Sequence, residues 1–166
     1  MIDGDRTDMD TNALIHWLHL VAIVLWIGGT FYQLAVDLPI STRDAHGFPE
    51  ARFTESVLRF RWITILAIGF SVFSGIMRVS AMGGMGSVPP LIHTKLLIAM
   101  IMMGLSILAG FYLAPKLHLG IATLEDTTEA EKTKLKSLLT QFIAAQGFTV
   151  LLGLGILMML ANAGLV

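Results

Sequence analysis

The sequence predicts an all-α integral membrane protein, folded as an antiparallel up-down-up-down bundle of four transmembrane helices. Of its 166 residues, 55% are hydrophobic and only 14% are charged, whereas a soluble domain carries about 25% charged residues. The hydrophobic residues also gather in four stretches, at 13–36, 62–79, 91–114 and 142–166. Each stretch falls within the range of about 17–25 residues that a membrane-spanning helix needs. We therefore expect residues 1–166 to form a single four-helix membrane domain.

Charge and cysteine content exclude several other classes of protein. The formal net charge of −1 argues against nucleic acid as a partner. The chain has no cysteine, which excludes disulfides, iron–sulfur clusters and thiolate zinc sites. In the hydrocarbon of a bilayer every backbone polar group must be bonded within the segment, and none of the four stretches alternates as a membrane strand does. The four stretches are therefore predicted to be helices. The lipid bilayer is the first predicted partner of the chain.

The boundaries of the helices are indicated by caps and prolines. Thr11 and Asn12 can cap the first helix. Pro39 and Pro115 are expected to end the first and third helices, because proline inside a helix removes a hydrogen bond and causes a clash. Pro90, together with the proline before it, suits the first turn of the third helix. A charged segment at 122–137 is predicted to be a solvated helical approach to the fourth span.

The basic residues predict the orientation of the bundle. Eight of the 11 lie in the loops that follow the first and third helices, and three lie on the other side. The eight are Arg43, Arg52, Arg59, Arg61, Lys116, Lys132, Lys134 and Lys136, and the three are Arg6, Arg78 and Lys95. Because cytoplasmic loops carry an excess of lysine and arginine, we expect a bacterial-type inner membrane protein with both termini outside.

Two of the five histidines lie well inside predicted spans, His19 in the first and His93 in the third. An ionisable side chain in hydrocarbon is costly and by default indicates a functional site. Because the first and third helices run in the same direction in the predicted bundle, both histidines fall in the outer half of the membrane. We interpret His46 and His118 as loop or helix-end residues, and His16 as an interfacial residue.

The matching depth of the two histidines predicts a metal centre, with His19 and His93 as ligands of a haem held between helices one and three. Imidazole is an axial ligand of haem iron, and the interior of a helix bundle commonly holds cofactors. Trp26, seven residues after His19, would wall a flat cofactor, and Arg78 and Lys95 would pair with haem propionates. In the alternative, each histidine only bonds a neighbouring carbonyl, and Lys95 extends to the interface.

Methionines provide a second type of metal ligand. Most of the ten methionines lie within spans, where they are typical core fillers. Met82 and Met85 lie instead in a Gly-rich outer loop, and paired thioethers suit copper(I). With the two span histidines they predict a copper site as an alternative to haem.

Two motifs resemble the signatures of small four-helix membrane proteins, the CopD-type copper-resistance domains and the HemJ-type protoporphyrinogen oxidases. The segment at 19–29, HLVAIVLWIGG, resembles their first-helix signature. In the third helix, His93-Thr-Lys95 resembles the His-x-Lys of HemJ-type proteins. The resemblance implies a four-helix bundle with a haem b or copper site that involves His19 and His93, and Lys95 matches a position that looks essential in the HemJ type.

Three functions follow as hypotheses, beside an accessory subunit without a cofactor. The first is a b-type haem protein in electron transfer, as a subunit of a redox complex or as a homo-oligomer. The second is a CopD-like copper transport or resistance protein. The third, implied by the resemblance, is an oxidoreductase of the HemJ type that acts on protoporphyrinogen IX. Whether the chain is an enzyme therefore stays open at this point.

Overall fold

The computed structural model describes residues 3–42, 48–124 and 127–162. Within these ranges the chain is helical apart from short connections and contains no strand. Four helices are long and apolar enough to cross a membrane, which confirms the all-helical class and the number of long helices. Arg43 and His46 lie outside the described residues, so their assignment to a loop stays a prediction.

The first helix, α1, is longer than the predicted span. Its five consecutive segments alternate between α-helical and π-helical geometry. In order they are Asp3–Ile23, the π-helical Val24–Gly28, Gly29–Tyr32, the π-helical Gln33–Asp37 and Leu38–Thr42. The prediction that Thr11 and Asn12 cap this helix is wrong, because the chain is already helical from Asp3.

Three further helices complete the fold. Helix α2 is Ala51–Ala81, and helix α4 is Glu129–Asn162, which begins inside the segment predicted as a helical approach. Helix α3 combines three segments, Pro90–Ile107, the π-helical Leu108–Leu113 and Ala114–Ala122. Pro90 occupies the first turn of α3, as predicted from the absence of a proline N–H there.

Pro39 and Pro115 do not end their helices, so the two predictions that they would are wrong. A π-helical segment directly precedes the turn that holds each proline, Gln33–Asp37 before Pro39 and Leu108–Leu113 before Pro115. A proline ring clashes with the carbonyl of the preceding turn and leaves that carbonyl without its N–H partner. A π turn pairs residues five apart instead of four, which lets the helix continue past the proline.

The helices are arranged in a ring of four neighbours. Helix α1 packs against α2 and, in its later half, against α4; α3 packs against α4 and, through Ala114–Ala122, against α2. Main packing contacts join neither α1 with α3 nor α2 with α4, so these pairs lie diagonally. His19 bonds Ser74 near the end of α2, whereas His118 bonds Thr54 near its start. We refer to these two ends of the bundle as the His19 end and the His118 end.

Two apolar clusters fill the interior. The larger, toward the His118 end, surrounds Phe53 and Phe142, whose rings meet edge to face with centroids 6.1 Å apart. The smaller cluster has five buried members. They are Ala22, Trp26, Ala67, Ile68 and Met102. Between the clusters Gly29 brings α1 close to α2, because a Cβ at this position would collide with the ring of Phe60.

Candidate cofactor site

His19 is a buried histidine whose proton position is fixed by its partner. Its Nδ1 lies 2.7 Å from the hydroxyl oxygen of Ser74, and the Ser74 hydroxyl in turn donates to the carbonyl of Phe70 at 2.6 Å. Since the single proton of Ser74 is used in that bond, His19 must donate from Nδ1 and Ser74 must accept. The Nε2 atom of a neutral ring then keeps its lone pair, the form in which imidazole binds a metal.

Two cationic side chains lie near this ring. Lys95 and Arg78 are the charged groups that act on His19, and His16 is a third ionisable neighbour. Arg78 is tied down in addition, because its guanidinium donates to Nδ1 of His16 at 2.7 Å. No salt bridge within the described residues involves Arg78 or Lys95. The His19 end can therefore attract a ligand that carries negative charge.

The other two predicted cofactor-binding residues lie in different surroundings. His93 is exposed on α3, and its pairing with His19 as a second ligand stays a prediction. Trp26 is 5% exposed within the smaller apolar cluster. Its indole N–H donates to the hydroxyl of Ser106 at 2.9 Å, which makes its ring part of the core at this level.

A groove of about 350 Å³ opens beside His16 and Arg78, and methionines line it. Met77 and Met82 contribute the sulfur atoms. Met85, the second methionine of the predicted copper pair, is 53% exposed in the following turn and does not line this groove. Across the described residues, no group of three or more histidines, cysteines or carboxylates could hold a metal ion.

His118 has the same bonding pattern as His19. Its Nδ1 lies 2.9 Å from the hydroxyl of Thr54, which donates to the carbonyl of Ala51. The ring of His118 is half-buried, and it adjoins the larger apolar cluster through Leu117. This bonding pattern therefore occurs twice, and deeper burial distinguishes His19 from His118.

A second polar region was missed in the sequence. Gln33, Arg61, Ser106 and Gln146 line one small cavity, together with apolar side chains, and we name it the glutamine cavity. Gln33 and Gln146 are 4% and 6% exposed. The sequence did contain a signal for this region, since Gln33 and Gln146 each lie within an apolar stretch. Mean hydropathy does not reveal them, because a single uncharged residue hardly lowers the mean of a long apolar window.

Comparison of the chain with family models, with curated proteins and with solved structures found no match. The resemblance to CopD-type and HemJ-type proteins therefore stays a prediction, supported by the two short motifs that suggested it.

Proposed function

We propose that the chain is a multi-pass protein of a bacterial-type inner membrane, with four antiparallel spans and both termini outside. The four long apolar helices support this, as do their outward faces, where Leu66 is 64% and Leu151 65% exposed. His19 contacts Ser74 whereas the later Gly29 lies against the earlier Phe60, which supports opposite directions for α1 and α2. The excess of basic residues toward the His118 end supports the orientation. Those that the structure describes lie on helices and not in loops as predicted, as Arg59 and Arg61 do on α2, because α2, α3 and α4 extend beyond the predicted spans.

The function that the geometry supports best is that of a membrane haem b protein in electron transfer. One observation carries the proposal: His19 is buried with its Nδ1 proton donated to Ser74, so its Nε2 is available as a ligand. A metal-bound histidine usually donates its other N–H to a fixed acceptor in this way, which orients the ring. When bound, haem would supply a one-electron couple.

The surrounding residues fit a haem in part. His19 would be the iron ligand, and Arg78 and Lys95 would hold the carboxylates, for which cationic partners are needed. The smaller apolar cluster around Trp26 provides a dry wall on the core side. His93 remains the proposed second ligand from α3, but its exposed side chain gives it less support than His19 has.

The test is an absorption spectrum of the protein purified from membranes, reduced and oxidised. We expect a Soret band that shifts on reduction, loss of haem in His19→Ala and retention in His118→Ala. His118 is the matched control because its ring has the same hydroxyl partner pattern, but it is only half-buried and lies at the opposite end of the bundle. Equal haem content in the two variants, or a colourless folded protein, would contradict the proposal.

Copper(I) is the second candidate, because Met77 and Met82 line one groove. His16, which lines it too, accepts from Arg78 on Nδ1 and so carries its proton on Nε2, which leaves the thioethers as the available ligands. The test is the copper content of protein purified with added copper(I). We expect Met77→Leu with Met82→Leu to abolish binding and Met158→Leu, an exposed methionine of α4, to preserve it. Unchanged copper in the double variant excludes this candidate.

A further inference from the structure

Several residues that line the glutamine cavity have a buried polar atom without a hydrogen-bond partner. Among the described residues five buried side-chain atoms have no hydrogen-bond partner. Three of them, Gln33 Nε2, Arg61 Nε and Gln146 Oε1, belong to residues that line this cavity. An unpartnered polar atom in apolar surroundings costs a few kcal/mol, roughly 1–3 by protein substitutions, so a third party is expected to bond them.

The size of the cavity limits this third party to something very small. The cavity measures about 10 Å³. A space of about 10–15 Å³ holds one water molecule. The hydroxyl residues Thr64 and Ser106 also line it, and apolar side chains such as Phe60 and Ile107 form most of the remaining wall. A ring-shaped or branched ligand does not fit without movement of these side chains.

The chemistry of the three atoms narrows the choice further. Gln33 Nε2 and Arg61 Nε are donors, whereas Gln146 Oε1 is an acceptor. The occupant must therefore accept two hydrogen bonds and donate at least one. A chloride ion or a carbonyl oxygen has no proton to give to Gln146, and a metal cation is repelled by the Arg61 guanidinium. Water meets all three requirements.

We propose that the glutamine cavity is a binding site for one water molecule, which bridges Gln33 of α1, Arg61 of α2 and Gln146 of α4. Buried waters typically make about three hydrogen bonds to otherwise unpartnered groups. The water joins α1, α2 and α4 at one level of the bundle. Ser106 of the remaining helix, α3, lines the same cavity. This proposal does not rest on the proposed haem function, since Gln33, Arg61 and Gln146 are not among the residues proposed to hold haem.

Solid-state NMR of the full chain in phosphatidylcholine bilayers can detect this water directly. The chain has three glutamines, Gln33, Gln141 and Gln146, so labelling the glutamine side chains with ¹⁵N gives a simple spectrum. We expect the Gln33 amide to receive magnetisation from water protons through dipolar contact, although its side chain is 4% exposed. Absence of any transfer from water to Gln33, or transfer from lipid protons in its place, would overturn the proposal.

Variants then test whether the water depends on all three partners. Gln146→Met removes the acceptor at similar volume, and we expect the water signal of Gln33 to weaken or disappear. Gln141→Met is the matched control, because Gln141 is exposed on the same helix and bonds only Ser137 among the described residues. Replacing chloride with gluconate should leave the melting temperature unchanged. A chloride-dependent melting temperature would assign the cavity to an anion and overturn the proposal.

Discussion

His19 and His118 share a hydrogen-bonding pattern but lie at opposite ends of the bundle in different surroundings. Each ring bonds a hydroxyl of α2, Ser74 or Thr54, that already donates to a backbone carbonyl. His19 is buried near two cations, whereas His118 is half-buried beside the larger apolar cluster. A bond to a hydroxyl therefore orients a ring in either setting. Burial and the two nearby cations are what set His19 apart as the proposed ligand.

The apolar packing of the His118 end should dominate stability. We expect Phe142→Ala to lower the free energy of unfolding by about 3–5 kcal/mol, because it leaves a cavity opposite Phe53. Phe148→Ala is the control on the same helix; its side chain is 60% exposed and should change stability by about 0.5 kcal/mol or less. Reversible unfolding in lipid–detergent mixtures, followed by circular dichroism, measures both. Similar losses in the two variants would contradict the described core.

The close contact between α1 and α2 at Gly29 lies between the two ends of the bundle. Substitutions at the adjacent Gly28 and Gly29 test how close it is. Gly29→Ala should cost about 1–3 kcal/mol, because the new Cβ forces the Phe60 ring to move. Gly28→Ala meets no atom within 4 Å and should be neutral or stabilise the helix by up to about 1 kcal/mol. The same unfolding experiment compares them. Equal effects would mean that α1 and α2 do not approach closely at Gly29.

The two hydroxyl partners test the comparison of the histidines itself. Ser74→Ala removes the hydroxyl that accepts the Nδ1 proton of buried His19, which should cost about 1–3 kcal/mol. Thr54→Val should cost less, because the half-buried ring of His118 can find another partner. Unfolding gives the energies, and ¹⁵N NMR of the imidazoles reports whether each ring changes tautomer. A larger loss for Thr54→Val would reverse our ranking of the two sites.

The smallest effect is expected for an exposed ion pair. Arg59 and Glu55 lie one turn apart on α2 with nitrogen and oxygen 2.6 Å apart, and their side chains are 80% and 53% exposed. Glu55→Gln should lower stability by only about 0.2–0.5 kcal/mol, and the difference should fade as salt is added. A loss as large as that of Ser74→Ala would show that surface charge matters as much as the buried bonds.

The sequence predicted the parts of the fold that depend on hydropathy. Four long apolar stretches became four long helices, because average hydropathy over 20 residues is insensitive to local detail. Pro90 was also correctly placed, since a proline in the first turn costs no hydrogen bond. Pro39 and Pro115 were misjudged, because the rule that proline ends a helix does not anticipate a π-helical turn before it.

The candidate sites were predicted less completely. His19, Arg78 and Lys95 were identified because a charge or imidazole inside an apolar stretch is conspicuous, and both cations act on the His19 ring. His93 was chosen by matching depth along the helix axis, and its role as a ligand stays a prediction. Gln33 and Gln146 were missed because only the folded bundle shows that their amides share a cavity.

The π-helical segments of α1 have a consequence for how this helix meets its neighbours. An α-helix advances about 100° per residue, so each extra residue accommodated in a π turn rotates all later side chains by about that angle. With two such segments, the sides of α1 before Val24 and after Asp37 differ by about 200° from a continuous α-helix. Deleting one residue from either segment should therefore restore α-helical geometry there and leave the later side chains facing their present neighbours, whereas converting the turn to α-helix without a deletion would rotate the final stretch by about 100°.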